Sequence, residues 1–270
     1  FARVAFKGTF RSYQQQILDH AKPHLQDKKI HIVAAPGSGK TILGLELIRM
    51  LNQPTLIFSP SITIREQWKE RFSHYFLNEE DDVNRYVSSS LLEFKLITTA
   101  TYQSLHSAIH KIIDQEEDED GIVKVDFSQY DVVKAAKKKG ILTICLDEAH
   151  HLRSEWQKSL EAFIKLLGSE VTIISLTATP PYDASPSEWE KYISLCGTID
   201  EEISVPELVM QNTLCPHQDY IYFNYPTEEE LAVIKDYRSK VNNAVNEIIN
   251  SSFFHALIID LINKFKQELE

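Results

Sequence analysis

The segment Ala35-Pro-Gly-Ser-Gly-Lys-Thr41 is preceded by an apolar run ending at Ala34 and followed at once by helix-forming Ile42 to Leu51. Strand, glycine loop and helix in that order make a phosphate cradle, because Gly37 and Gly39 let successive backbone amides point inward and the helix N-terminus adds its positive end. In such a cradle Pro36 and Ser38 complete the loop around ATP, Lys40 reaches the β and γ phosphates, and Thr41 ligates Mg2+. The usual first glycine of this pattern is replaced by Ala34. The competing reading, a glycine turn without a ligand, leaves the adjacent lysine and threonine without a purpose.

A second signal lies 107 positions after Lys40, where the apolar run Ile141 to Leu146 ends in Asp147-Glu-Ala-His150. Carboxylates at the carboxyl end of a parallel strand lie on the ligand edge of a sheet. There Asp147 holds Mg2+ through water, and Glu148 orients or deprotonates the attacking water, since phosphoryl transfer is mostly positioning and charge neutralisation. Either carboxylate alone reads equally well as an exposed acidic strand end. A zinc site at His150 and His151 is not supported, because neighbouring side chains point apart and no Cys or His pair accompanies them.

These residues need a scaffold that brings strand ends together. Short β-branched or leucine-rich runs recur at Ile30 to Ala34, Thr55 to Ser59, Lys95 to Thr99, Ile141 to Leu146 and Val171 to Leu176, with helix-like stretches between them. That rhythm predicts a three-layer α/β domain with a central, mostly parallel sheet. Asp114 to Asp120 carries six carboxylates in seven residues and reads as a solvated loop. Beyond Pro206 the pattern changes. Tyr220 to Tyr225 reads as one more strand, Pro226-Thr227-Glu-Glu-Glu230 as a helix start, and the remainder as a helical extension broken near Asn250 to Ser252.

A 270-residue chain that is 43 % hydrophobic has enough apolar side chain for a packed core, which excludes disorder and miniature scaffolds. Its longest apolar stretch, Phe253 to Ile262, is interrupted by His255 and Asp260 and falls short of the roughly 20 residues of a membrane span. The chain opens on Phe1 with no leader-like run, as expected of a cytoplasmic chain cut from something longer. Cys145, Cys196 and Cys215 are scattered and read as reduced, structural residues.

The net charge of −11 argues at face value against a polyanion partner, yet it divides unevenly. Residues 1–113 hold 14 basic and 10 acidic side chains, net +4, whereas 114–270 hold 14 and 29, net −15. The motif-bearing half is therefore compatible with weak phosphate contacts. Lys137 to Lys139 reads as a solvated face.

Together these segments resemble the superfamily 2 DEAD/DEAH-box helicases and translocases over roughly residues 10 to 181. The phosphate loop resembles their motif I, Asp147-Glu-Ala-His150 their motif II of DEAH type, and Ser175-Leu-Thr-Ala-Thr-Pro180 their motif III. The resemblance implies that His150, Thr177 and Thr179 couple nucleotide state to nucleic-acid binding. It implies an adenine-recognising element at Ser12-Tyr13-Gln14, with Gln14 at the base edge. Ser59-Pro-Ser-Ile-Thr-Ile-Arg-Glu-Gln-Trp68 and Thr98-Thr-Ala-Thr-Tyr-Gln-Ser-Leu105 are similar to motifs Ia and Ib, which implies strand contacts from Ser59, Pro60, Thr101 and Tyr102. On residue chemistry alone these hydroxyls read equally as helix caps, and Tyr102 as core packing.

The form of motifs Ia and II is most similar to the branch containing restriction-enzyme motor subunits of type III and double-strand DNA translocases. What this implies is a RecA-like ATP-binding domain at 1–205 and, at 206–270, a mainly helical extension leading toward a second RecA-like domain. Family members hydrolyse ATP with Mg2+ on a nucleic acid, with DNA favoured over RNA. Their arginine finger comes from the second domain. The only arginine here after Arg153 is Arg238, so these 270 residues are expected to bind nucleotide and hydrolyse it poorly. An RNA helicase, and a nucleotide-dependent nucleic-acid-binding scaffold without motor activity, are the alternatives. Phe253, Phe254, Leu257, Ile258, Leu261 and Ile262 fall at helical spacing as a packing face for the second domain.

Overall fold

The computed structural model describes residues 1, 4–25, 28–118, 121–152, 154–216 and 224–267. The chain falls into two compact units, Phe1–Pro216 and His217–Glu270. The first unit runs α1 (Ser12–His24), β1 (Lys29–Ala34), α2 (Lys40–Leu51), β2 (Thr55–Ser59), α3 (Ile62–Phe76), β3 (Val87–Ser88), β4 (Ile97–Thr101) and α4 (Tyr102–His110). It continues with β5 (Ile113–Asp118), β6 (Gly121–Asp126), α5 (Val132–Lys139), β7 (Thr143–Asp147), α6 (Ser154–Leu167), β8 (Thr172–Thr177), α7 (Pro186–Cys196), β9 (Glu201–Ile203) and α8 (Val205–Met210).

Among the described residues, seven strands form one sheet in the order β3-β4-β2-β7-β8-β1-β9, and every pairing in it is parallel. Side-chain alternation along the strands divides the apolar residues between two cores. Ile57, Cys145, Ile174 and Leu176 face a core shared with α1, α2, α3 and α8. Leu56, Phe58, Ile144, Leu146 and Ile173 face the other, shared with α4 to α7. The expected three layers follow: strands covered on both faces must be apolar on both, as the continuous runs of β7 and β8 are. The strand ranges shift from the sequence expectation by up to two residues, most for β4, since the ladders of β4, β7 and β8 begin after the start of their runs and continue past the end of them into the polar residues Thr101, Asp147 and Thr177.

The acidic block departs from its expected form. Ile113–Asp118 is a strand paired antiparallel with Gly121–Asp126, and Asp114, at its start, is only 2 % exposed. Asp114 accepts hydrogen bonds from Ser104 Oγ at 2.6 Å, Ser107 Oγ at 3.0 Å and Gln103 Nε2 at 3.2 Å. Three donors from one turn of α4 satisfy a buried carboxylate that a charge count assigns to solvent. Lys137 to Lys139 are exposed at the C-terminal end of α5, where positive charge suits the helix dipole.

The second unit consists, among the described residues, of α9 (Glu228–Ile249) and α10 (Ser252–Gln267). Thr227 and Glu230 close a reciprocal cap at the predicted start, with Thr227 N donating to Glu230 Oε2 at 2.8 Å and Glu230 N to Thr227 Oγ1 at 3.2 Å. The break falls at Asn250-Ser251, as expected. Of the strand expected at Tyr220 to Tyr225, positions 220–223 lie outside the described residues, and Asn224 and Tyr225 are not in a strand. Cys145 and Cys196 are buried, whereas Cys215 is exposed and so is not the structural residue expected. No single helix among the described residues is long and apolar enough to cross a membrane; α9 and the apolar part of α10 combine sufficient length with sufficient apolarity only together, across a 53° bend.

Candidate nucleotide site

The carboxyl ends of β1, β7 and β8 are neighbours in the sheet, so the residues that leave them meet: Val33 is in register with Thr177, and Asp147 with Leu176. From β1 the loop turns into α2 through two left-handed glycines, each with φ +81°. Such angles are strained for any residue with a Cβ. A Cβ on Gly39 would also lie 2.6 Å from Gln14 Nε2. The loop is held from α1. Gln14 Nε2 donates to Ser38 O at 3.0 Å, the Tyr13 hydroxyl donates to the same carbonyl, and Arg11 N donates to Gln14 Oε1 at 3.0 Å. Gln14, expected at a base edge, is therefore buried and committed to the loop backbone.

Lys40 lies at the mouth of the loop with Nζ 3.0 Å from Ala34 O and 3.3 Å from Glu148 Oε1. Ser38 Oγ is buried without a hydrogen-bond partner. An unpaired buried hydroxyl is costly unless something else supplies the partner. Left-handed glycines, an orphaned hydroxyl, an ammonium and a helix N-terminus are together what a phosphate chain satisfies, so the residues present fit one. Thr41 is partly exposed beside them.

Asp147 ends β7 at 5 % exposure and accepts a hydrogen bond from Trp68 Nε1 at 2.7 Å. Burial raises its carboxyl from 3.8 to about 6, the Glu148 charge adds to the rise, and the Trp68 bond and Lys40 oppose it. A carboxylate held at that cost is suited to a cation. Glu148 occupies the left-handed region at φ 50°, an uncommon place for a non-glycine and one associated with function. Its backbone N donates to Leu176 O at 2.8 Å, and its Oε2 accepts from Ala178 N at 3.0 Å and from Thr177 Oγ1 at 3.3 Å.

His150 completes a chain of polar groups. Its Nδ1 is 2.7 Å from Thr177 Oγ1 and its Nε2 is 3.2 Å from Thr179 Oγ1. Burial, then the neighbouring His151, hold its pKa below the usual imidazole value, which keeps the ring neutral near pH 7. With Thr177 donating to Glu148, the neutral ring must donate from Nδ1 to Thr177 and accept at Nε2 from Thr179. The wire thus points from Thr179 through His150 and Thr177 to Glu148.

The segments expected to touch a nucleic-acid strand are not all at the surface. Tyr102 is 1 % exposed, and its hydroxyl donates to Asp147 O at 3.0 Å, so it packs in the core, as its residue chemistry alone suggested, rather than facing a strand. Thr101 is buried and its Oγ1 caps α4 by accepting from Ser104 N at 3.0 Å, and Ser59 is fully buried, so neither side chain reaches a strand. Pro60 is partly exposed. Capping chemistry, the alternative for these hydroxyls, is what Thr101 and Ser61 perform.

Four residues that sequence reasoning left without a role come from α3. Ile64, Gln67 and Arg71 line a cleft of about 280 Å3 together with Gly37, Gly39, Lys40, Thr41, Asp147 and Glu148. Their i, i+3, i+7 spacing marks one helix face, a signal present in the sequence but indistinguishable there from a core stripe. Trp68, the fourth, is the donor to Asp147. Among the described residues no cluster of three or more His, Cys, Asp or Glu is placed to hold a metal ion by itself.

A model of the family described as type III restriction enzyme, res subunit, matches residues 7–182. The DNA 3'-5' translocase XPB2 of Sulfurisphaera tokodaii is 29 % identical over 208 residues, covering 77 % of this chain and 39 % of that protein. The putative DNA 3'-5' helicase Rad25 of Haloarcula marismortui is 26 % identical over 180 residues, covering 66 % and 24 %. Among solved structures, a nuclease-deletion mutant of the Type ISP restriction-modification enzyme LlaGI in complex with a DNA substrate mimic aligns over 96 % of this chain and 24 % of that one, at 17 % identity and TM-score 0.51. The Pyrococcus furiosus Hef helicase domain aligns over 74 % and 39 %, at 18 % identity and TM-score 0.50. This chain spans 39 % or less of the length of the curated relatives it matches. At such identities the structural likeness establishes the RecA-like fold alone.

Proposed function

This chain belongs to the family of type III restriction enzyme res subunits, and from that membership we propose that residues 1–205 are the ATP-binding motor domain of an ATP-dependent DNA helicase or translocase. The observation that carries the reading is the convergence of Lys40, Asp147 and Glu148 on one cleft, with His150, Thr177 and Thr179 wired to Glu148. A glycine turn without a ligand explains none of that arrangement.

The residues divide the work as follows. Amides of the 36–41 loop and Lys40 bind and orient the polyphosphate of ATP. Thr41 and, through water, Asp147 would hold Mg2+, which would supply charge neutralisation for the phosphates. Glu148 orients the attacking water and takes its proton. Its carboxylate is set by three neighbours, Lys40, Thr177 and the Ala178 amide, so a shift of the loop after β8 re-aims it. His150 and Thr179 transmit that shift. Gln14 acts on the nucleotide through the loop carbonyl it holds.

DNA is favoured over RNA as the track because the named relatives are DNA translocases and helicases. A second RecA-like domain, reached through 206–270, closes the cleft and supplies the arginine finger, worth about 10³ to 10⁵ in rate in related phosphoryl transfers. The exposed apolar residues Phe253, Leu257, Ile258, Leu261 and Ile262 of α10 suit a packing face for it. The setting proposed is the cytoplasm.

The test is ATP hydrolysis by the full-length protein with duplex DNA, single-stranded DNA or RNA added in turn. Stimulation by DNA that Lys40→Ala abolishes is expected, with the 270-residue chain alone binding nucleotide and turning it over slowly. Stimulation by RNA alone would replace the DNA reading. Nucleotide binding without turnover under any of these conditions would favour the scaffold.

A further inference from the structure

Asp147 is gripped from both helices that resemble the strand-contacting motifs. Trp68, seven residues into α3, donates its indole N–H to Asp147 Oδ2 at 2.7 Å, and Tyr102, the first residue of α4, donates its hydroxyl to Asp147 O at 3.0 Å. Both rings are 1 % exposed. The indole is also wedged against α2, since a Cβ on Gly44 would lie 2.6 Å from Trp68 Cη2. One side chain thus touches the helix that follows the phosphate loop and the carboxylate that ends β7.

A buried apolar slot of this size has no need of a polar donor, and a phenylalanine would fill most of it. The indole N–H brings a group that must be paired, and the partner it has is the carboxylate. Meanwhile the other end of α3 lies at the ligand edge of the sheet: Ser61 caps it, and Pro60 and Ser61 are reachable from solvent. A helix moves largely as a rigid element, so a displacement at its first turn is carried to residue 68.

We propose that Trp68 is a positioning residue that ties the Asp147 carboxylate to α3, so that a ligand pressing on the N-terminal end of α3 repositions the cation-binding carboxylate directly, independently of the His150–Thr177 route. This rests on the cation role proposed for Asp147 above. Outer-shell partners of a cation site are worth about 10- to 100-fold in metal affinity when removed, and Trp68 fixes the one that Asp147 supplies through water. Tyr102, which holds the backbone of the same residue, is the second anchor.

The experiment compares Trp68→Phe with the unmodified full-length protein. Binding of fluorescent ADP is titrated first without divalent cation, which reports the loop alone, and then against Mg2+. Cation-free binding within about twofold, with the Mg2+ concentration for half-maximal enhancement raised about 10-fold or more, is the expected result. Cation-free binding unchanged and an unchanged Mg2+ requirement would overturn the proposal while leaving the nucleotide reading intact. An unmodified protein that binds no nucleotide would overturn both.

Should Trp68→Phe not fold, a Trp156→Phe/Trp189→Phe variant leaves Trp68 as the only indole of these 270 residues. Its emission is expected to change on adding Mg2+ to the ADP complex and again on adding duplex DNA. Emission indifferent to both additions would overturn the proposal.

Discussion

Lys40 Nζ stands 3.3 Å from Glu148 Oε1, across the mouth of the loop between β1 and α2. The ammonium proposed for the phosphates and the carboxylate proposed for water are therefore partners of each other. On that proposal, polyphosphate entering the cleft would compete for Lys40 and free Glu148. Glu148→Gln keeps the size and the Ala178 contact but removes the base, so nucleotide affinity is expected to hold while turnover falls. A loss of about 10²- to 10⁴-fold is the range for a general base, measured as DNA-stimulated kcat in the full-length protein.

Gly39 and Gly140 separate backbone strain from crowding. Both are left-handed, but a Cβ at Gly39 would meet Gln14 at 2.6 Å whereas nothing lies within 4 Å of one at Gly140. Each change to alanine costs about 1–2 kcal/mol of backbone strain. Only Gly39→Ala should also abolish nucleotide binding, because it displaces the side chain that fixes the loop carbonyl. Equal effects of the two variants on affinity, measured by calorimetry beside their melting temperatures, would mean that Gln14 does not position the loop.

Asp147 gives the site a pH dependence of known sign. Its folded-state carboxyl titrates near 6 against an ordinary 3.8, so the fold favours the protonated form. The stabilising effect of that proton is present at low pH and is lost as pH rises through about 6, a change of at most about 3 kcal/mol over the shift. Cation binding has the opposite sense, since Mg2+ must displace the proton. Mg2+-dependent nucleotide binding is expected to weaken as pH falls from 7 to 5, with Asp147→Asn insensitive over that range.

Asp114 tests whether the acidic hairpin is anchored or merely solvated. Asp114→Ala leaves Ser104, Ser107 and Gln103 without their shared acceptor. Unmet buried donors cost about 1–3 kcal/mol each, partly recovered where water enters. A lower melting temperature and faster proteolysis within 113–126 are expected, with nucleotide affinity unchanged because the hairpin is not part of the cleft.

The phosphate loop, the carboxylate pair and the parallel sheet were legible because each depends on local order. Glycines must sit where φ is positive, a lysine and threonine must follow them, and strands covered on both faces must be apolar throughout. Even the second unit was readable at its start, since Thr227 and Glu230 satisfy each other within one turn.

Other assignments needed positions distant in sequence. Asp114 looks solvated among six carboxylates until α4 brings three donors to it. Tyr102 reads either as a strand contact or as core packing until β4 and α4 turn its hydroxyl toward Asp147, 45 positions away. The indole of Trp68 could serve any face of α3 until packing on Gly44 aims it at a residue 79 positions on. Composition and spacing determined which groups this protein has for phosphate chemistry and which strand ends present them. Tertiary structure decided which groups brace the others, because burial, the positioning of a hydrogen-bond donor and the raised pKa of Asp147 exist only where separate elements close on one another.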